Sequence, residues 1–324
     1  MRDSRIELFR CACMFGVVLL HALTQGGYAD AHRGLDNLMT PSVVGFVFIS
    51  GYFGIKCRLR GVLKLLGIGL SSWIVLAVLN LDFTTSFGVR GYWWFLWMYL
   101  TLMTMAPLAE TMFAQNGAIT RIVPFAVVIF VWSYVATKIP VLKTLVPSVN
   151  GFSPFGVLTF FAVYLVARVN RMYEDKIETW WLVVAATVSG AMCWIGFYHY
   201  NSPSALVFAG SMFYLFKRLP LSEPRNTQEM KFWVFRVFRG FVVAVSPSMF
   251  SVYLLHANAY GLEMLRKVEN HLVASGLNYY VMACVVAIGI FGMCVVLDSP
   301  RRMIELACRV RLAVSGERER CLRV

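Results

Sequence analysis

Apolar stretches long enough to cross a bilayer recur through nearly the whole chain, and no other property restricts its fold so severely. Hydrocarbon offers backbone N–H and C=O groups no partner, so a crossing segment closes its hydrogen bonds within a helix or within a sealed barrel. Runs on the order of 20 apolar residues select the helix. Ten such segments are expected, at roughly 8–25, 40–56, 62–82, 92–112, 121–138, 152–168, 179–199, 203–217, 239–258 and 277–298. They predict an all-α polytopic integral membrane protein with about ten transmembrane helices. A composition that is 59% hydrophobic and 15% charged does not suit a soluble globular domain either.

Ten spans put both termini on one side, and the basic residues indicate which side. With this arrangement 24 of the 30 lysines and arginines fall on the side of the termini and 6 on the other, so both termini are expected in the cytoplasm and the chain in a cell (inner or plasma) membrane. The net charge of +13 then marks the cytoplasmic face rather than a nucleic-acid partner. Lys231 to Arg239 alternates basic and aromatic residues, a pattern that suits either the anionic inner leaflet or a helix end anchored at the interface, so membrane lipids are expected partners. All eight cysteines fall in spans or on the cytoplasmic side, and neither a CxxC pair nor a histidine cluster occurs, so no external disulfide and no metal site are expected.

The first span departs from the apolar pattern. Within SRIELFRCACMFGVVLLHAL it carries Glu7, Arg10 and His21. At about 100° per residue, the interval from Arg10 to His21 makes about three full turns, which sets both side chains on one face, ~16 Å apart along the axis. Ionisable groups inside a span are costly and usually face a protein interior or a wet cavity. Glu7 stands one turn before Arg10, positioned for an i,i+3 ion pair. The alternative for His21 is a packed histidine hydrogen-bonded to a neighbouring helix. Neither Arg10 nor His21 suits a disposable leader.

Other landmarks are FISGYF at 48–53, YWWFLWMYLTLMTMAPL at 92–108, NGFSPF at 150–155, YNSPS at 200–204 and SVYLLHANAY at 251–260. None is specific alone. Their order, after RIELFRCACMFGVVLLHA and around a basic hairpin, resembles the membrane-bound acyltransferase-3 family from about residue 4 to about residue 302. The resemblance implies an acyltransferase-3-like transmembrane domain over 1–302, followed by a basic cytoplasmic tail over 303–324. It further implies a ten-span enzyme that takes an acyl group, usually acetyl, from cytoplasmic acyl-CoA and passes it to a hydroxyl of an extracytoplasmic glycan or glycolipid. Acetyl-CoA is then the donor substrate, and no metal is called for.

In that family the first-span arginine and the histidine eleven residues later are functional, and Arg10 and His21 match both. The roles implied are general base for His21 and, for Arg10, a contact to a donor phosphate or a hold on Glu7. If neutral His21 is the base, activity should fall as pH drops through the histidine range near ~6.5. The family also has an RxxR pattern at the start of its third span. Here that run reads KCRLRGVLK from Lys56, with Lys64 at the second arginine, Gly61 at the first, and Arg60 and Arg58 close by as candidate donor contacts. A lysine keeps a point charge but loses bidentate geometry.

Ser50 and Tyr52 flank a glycine that permits close helix approach, with a hydroxyl able to reach substrate. Trp94 and Tyr99 belong to an aromatic cluster that serves either as an interfacial belt or as the lining of a sugar cleft. His256, in the ninth expected span, completes the candidate substrate contacts. Two readings from other classes share this composition: a polytopic transporter or flippase of a glycan precursor, and an inactive sensor on the same fold. On the chemistry, succinyl transfer is the nearest competitor to acetyl.

Overall fold

A computed structural model describes residues 3–25, 33–80, 93–114, 120, 122–129, 131, 156–197, 199–220, 231–274 and 278–314. Every regular element among them is helical: α1 (Ser4–Gln25), α2 (Arg33–Met39), α3 (Pro41–Phe53), α4 (Leu59–Asn80), α5 (Trp94–Phe113), α6 (Val157–Tyr173), α7 (Thr179–Trp194), α8 (Pro203–Lys217), α9 (Lys231–Val245), α10 (Met249–His256), α11 (Ala259–Ala274), α12 (Tyr279–Leu297) and α13 (Ser299–Val314). Helical turns also occur between 122 and 129, and short 3-10 turns follow α6 and precede α10.

Among the described residues, four segments are long and apolar enough to span: Ser4–Thr24, Leu59–Leu79, Arg236–His256 and Tyr279–Cys308. Most of the other expected spans are present as helices that are shorter or less apolar. The stretch expected at 40–56 is helical only from Pro41 to Phe53, because Gly54 ends it with a φ of +77°, where a residue with a Cβ is strained. Expected segments at 121–138 and 152–168 lie partly outside the described residues. At 239–258 the helix is interrupted by the 3-10 turn Ser246–Ser248, whose Pro247 lacks a backbone N–H. The run expected at 277–298 carries on past Leu297 into α13, through residues assigned to the basic tail.

The polar content of α1 is matched by its position, for it touches α2, α3, α8, α9, α10, α11 and α12. Its most apolar window is 67% buried, against 28% for those of α4 and α12, so α1 runs through the protein interior while α4 and α12 give a face to lipid. Leu63, Leu70, Ile74, Val281, Val285 and Ile288 form part of that lipid face. Two termini show local encoding. Ser202 caps α8 by accepting from the Ala205 N–H ahead of Pro203, and Asn278 caps α12 by accepting from the Tyr280 N–H.

Two helix backbones approach closely where α3 meets α6. Gly51 lies against the Tyr164 backbone so tightly that a Cβ would stand 2.5 Å from the carbonyl oxygen. Beyond this contact, the Tyr164 hydroxyl accepts from the Ile55 N–H at 3.1 Å and donates to Glu110, itself held by Arg168 in a two-pronged pair at 3.0 and 2.7 Å.

Candidate active site

The central helix sets two ionisable side chains in one wall. Arg10 and His21 both line a cavity of about 290 Å³ that α1 shares with α3, α4, α5 and α10. The three-turn spacing therefore does what helix geometry requires, bringing both residues to one face. At the Arg10 end, Nη1 donates to Glu7 Oε2 at 2.5 Å. The Glu7 side chain is 6% exposed and that of Arg10 29%, so the carboxylate is a buried anchor and the guanidinium faces the cavity. A charge-assisted bond of this type is roughly twice as strong as a neutral one.

At the other end His21 Nδ1 lies 3.0 Å from His256 Nε2. His256 Nδ1 is in turn 2.6 Å from the Val252 carbonyl oxygen. His256 is buried and does not line the main cavity, so the structure puts it behind His21 rather than among the substrate contacts expected of it. On its far side it borders a second cavity of about 270 Å³ whose walls are otherwise apolar.

The surrounding string YLLHAN is accounted for residue by residue. The Tyr253 hydroxyl accepts from the Phe95 N–H at 3.2 Å and lines the main cavity, and the Leu254 carbonyl accepts from Trp93 Nε1 at 3.1 Å. Asn258 donates to the Leu255 carbonyl at 2.5 Å and accepts from the Gly261 N–H at 2.9 Å, fixing the turn that follows His256. The start of α5 and the start of α11 thus both brace α10.

The cavity also contains Trp94, Tyr99, Tyr200 and Tyr253. Trp94 stacks on Phe160 and leans on Tyr200, each with ring centroids 5.9 Å away, so this indole belongs to the cavity and not to a surface belt. Ser50 Oγ donates to the Phe46 carbonyl at 3.0 Å and contacts Tyr99 Oη at 3.0 Å. A carbonyl only accepts, so the single Ser50 proton is spent there and Tyr99 must be the donor to Ser50.

Tyr52 is not on the cavity. It is two residues beyond Ser50, about 200° around α3, and its hydroxyl donates to Glu174 at 2.5 Å while accepting from Lys217 at 2.5 Å. Arg171 bonds its carbonyl at 3.1 Å. Burial pushes the Glu174 carboxyl up, but the hydrogen bonds from Lys217 and Tyr52 outweigh it and leave the group below its ordinary range.

Among the basic candidates, Lys64 reaches the cavity edge, where it pairs with Glu305 of α13 at 2.9 Å. Arg58 and Arg60 are exposed near the start of α4 and do not line the cavity. Sequence reasoning missed Ser246. This residue is 2% exposed, lines the cavity, and its hydroxyl has no hydrogen-bond partner among the described residues. The one signal for it was a Ser-Pro-Ser interruption inside an apolar stretch. A family model described as "Acyltransferase domain" matches residues 3–298. Neither the curated proteins nor the solved structures contain a match.

Proposed function

Because the chain belongs to the acyltransferase-3 family of membrane acyltransferases, we propose that it moves an acetyl group from cytoplasmic acetyl-CoA to a hydroxyl of an extracytoplasmic glycan or glycolipid, with His21 as general base. The observation that carries this reading is the single cavity bordered by both Arg10 and His21. A chamber about three helical turns long suits an extended donor arm, its anionic part at Arg10 and its thioester beside the imidazole. The reading includes ten spans with both termini in the cytoplasm, motivated by the charge asymmetry, so that Arg10 and Lys64 stand at the donor's entrance. The orphan hydroxyl of Ser246 is a ready hydrogen-bond partner for the amide-rich arm of the donor.

The chemistry follows from these groups. His21 takes the proton of the acceptor hydroxyl as its oxygen attacks the thioester carbonyl. The C–S bond then breaks, and the departing thiolate takes the proton back from the imidazolium, so the base is regenerated. The aromatic lining, with Trp94 against Tyr200, offers a stacking face and hydroxyls of the kind that bind sugar rings.

The test is acceptor-dependent thiol release from acetyl-CoA by the purified full chain, across a panel of glycans and glycolipids. The expected result is release with at least one acceptor, and loss of roughly 10²–10⁴-fold in kcat for His21→Ala at matched folding. Release with succinyl-CoA but not acetyl-CoA would reassign the acyl group. Donor binding without transfer across the whole panel would overturn the reading.

A further inference from the structure

The two histidines that meet at the cavity's inner end are 235 residues apart in sequence, and the bonds around them determine where their protons sit. His256 Nδ1 faces the Val252 carbonyl oxygen at 2.6 Å, and because a carbonyl only accepts, Nδ1 must carry a hydrogen. The His256 ring is buried and, among the described residues, its two nitrogens meet only His21 and the Val252 carbonyl, which favours the neutral imidazole over an imidazolium. Its Nε2 is therefore a bare lone pair. That nitrogen lies 3.0 Å from His21 Nδ1, so the hydrogen between the two rings belongs to His21 Nδ1. In a neutral His21 the remaining nitrogen, Nε2, is then unprotonated, on a residue that lines the cavity.

We infer that His256 is a positioning residue whose Nε2 holds His21 in the Nδ1–H tautomer and so keeps the basic nitrogen Nε2 of His21 available to the cavity. The inference deepens the proposed function and rests on His21 being the base. His256 does for His21 what the orienting partner of a nucleophile-activating histidine does elsewhere, with a neutral acceptor in place of a carboxylate. The bracing of α10 fits this role. Val252, Tyr253, Leu254 and Asn258 are all engaged in hydrogen bonds around His256, so the ring that supplies the acceptor is held from both ends of its helix.

Sequence spacing alone could not assign this role, because a late histidine near a helix end reads equally as a substrate contact or an interfacial residue.

The test compares two substitutions of one residue. His256→Gln puts an amide oxygen near the position of Nε2 and keeps an acceptor, whereas His256→Phe keeps the ring's bulk and removes it. The first readout needs no ligand: nitrogen NMR of the full chain with ¹⁵N-labelled histidine, in which His32, His199 and His271 are replaced by Asn so that only two of the five histidines remain. His21 should show a protonated Nδ1 and a bare Nε2 in this background and in His256→Gln, and should lose that preference in His256→Phe.

The second readout is turnover of acetyl-CoA with an acceptor that supports transfer by wild type. His256→Phe should lower kcat on the order of 10²-fold with KM for acetyl-CoA nearly unchanged, and His256→Gln should restore most of it. A protonated Nε2 on His21 with His256 present overturns the inference, as does a tautomer unchanged by His256→Phe. If the phenylalanine variant does not fold, the spectra with His256 and with glutamine still decide. Should His21 show the Nδ1–H tautomer while His21→Ala turns over normally, the proton assignment stands and the general-base reading fails.

Discussion

Replacing Gly51 with alanine adds one methyl where two helix backbones already touch. The new Cβ would stand 2.5 Å from the Tyr164 carbonyl oxygen, 2.8 Å from the Ala167 Cβ and 2.9 Å from the Tyr164 Cα. Comfortable non-bonded contact begins at about 3.5 Å, so α3 and α6 must part by roughly 1 Å. A gap of that size forfeits about a quarter to a half of each contact it stretches, and overpacking of this kind costs about 1–3 kcal/mol.

Alanine's better helix propensity returns only about 0.5–1 kcal/mol, so the net effect is destabilising by about 1–2 kcal/mol. Gly67 provides the control, since a Cβ there meets nothing within 4 Å and the same substitution should be neutral or slightly stabilising. Thermal unfolding of the detergent-purified chain, followed by circular dichroism, compares the three proteins side by side. Equal midpoints for wild type, Gly51→Ala and Gly67→Ala would refute the argument that the SGY glycine exists to let α3 meet α6.

Three more perturbations separate the cavity from its surroundings. Ser50→Ala should reduce kcat by less than about 5-fold, because the Ser50 proton already goes to the Phe46 carbonyl; a loss of 10²-fold or more in steady-state assays would mean that it serves substrate. Glu7→Gln should raise KM for acetyl-CoA by about 10-fold with a smaller effect on kcat, by releasing Arg10 from its charge-assisted anchor, and donor titration reads it directly. Glu174, whose folded pKa lies below the unfolded value of 4.5, contributes stability that is present above that value and lost as pH falls through the folded pKa. Lys217→Ala should lower thermal stability near neutrality and flatten its dependence on pH below about 4.5, as melts across that range will report.

The site was only partly legible in sequence, for reasons specific to each residue. Arg10 and His21 could be paired because both stand on one unbroken helix, where spacing alone fixes the face. Glu7 followed from the same arithmetic, and its contact with Arg10 is as expected. Ser50 and Tyr52 looked alike as neighbours in one motif, yet a helix turns about 200° between them, sending one to the cavity and the other to Glu174 and Lys217. The contact between His21 and His256 depends on how α1 packs against α10, and no local pattern encodes it. Ser246 had only a proline to mark it, and proline within an apolar run signals a break in the helix without naming what the break exposes.

The fold shows a similar division. Apolar length located α1, α4 and α12 well, since each is a single uninterrupted helix. It could not foresee that Gly54 would shorten α3, or that the Ser246–Ser248 turn would split the stretch before His256.

The most direct measurement is acceptor-dependent acetyl transfer by wild type, Arg10→Ala and His21→Ala at matched folding, with kcat and KM for acetyl-CoA resolved for each. One cavity with a donor end and a chemical end predicts a raised KM with much of kcat retained for Arg10→Ala, and a kcat lowered by roughly 10²–10⁴-fold with KM retained for His21→Ala. Wild-type kcat in the His21 variant would contradict the account at its centre.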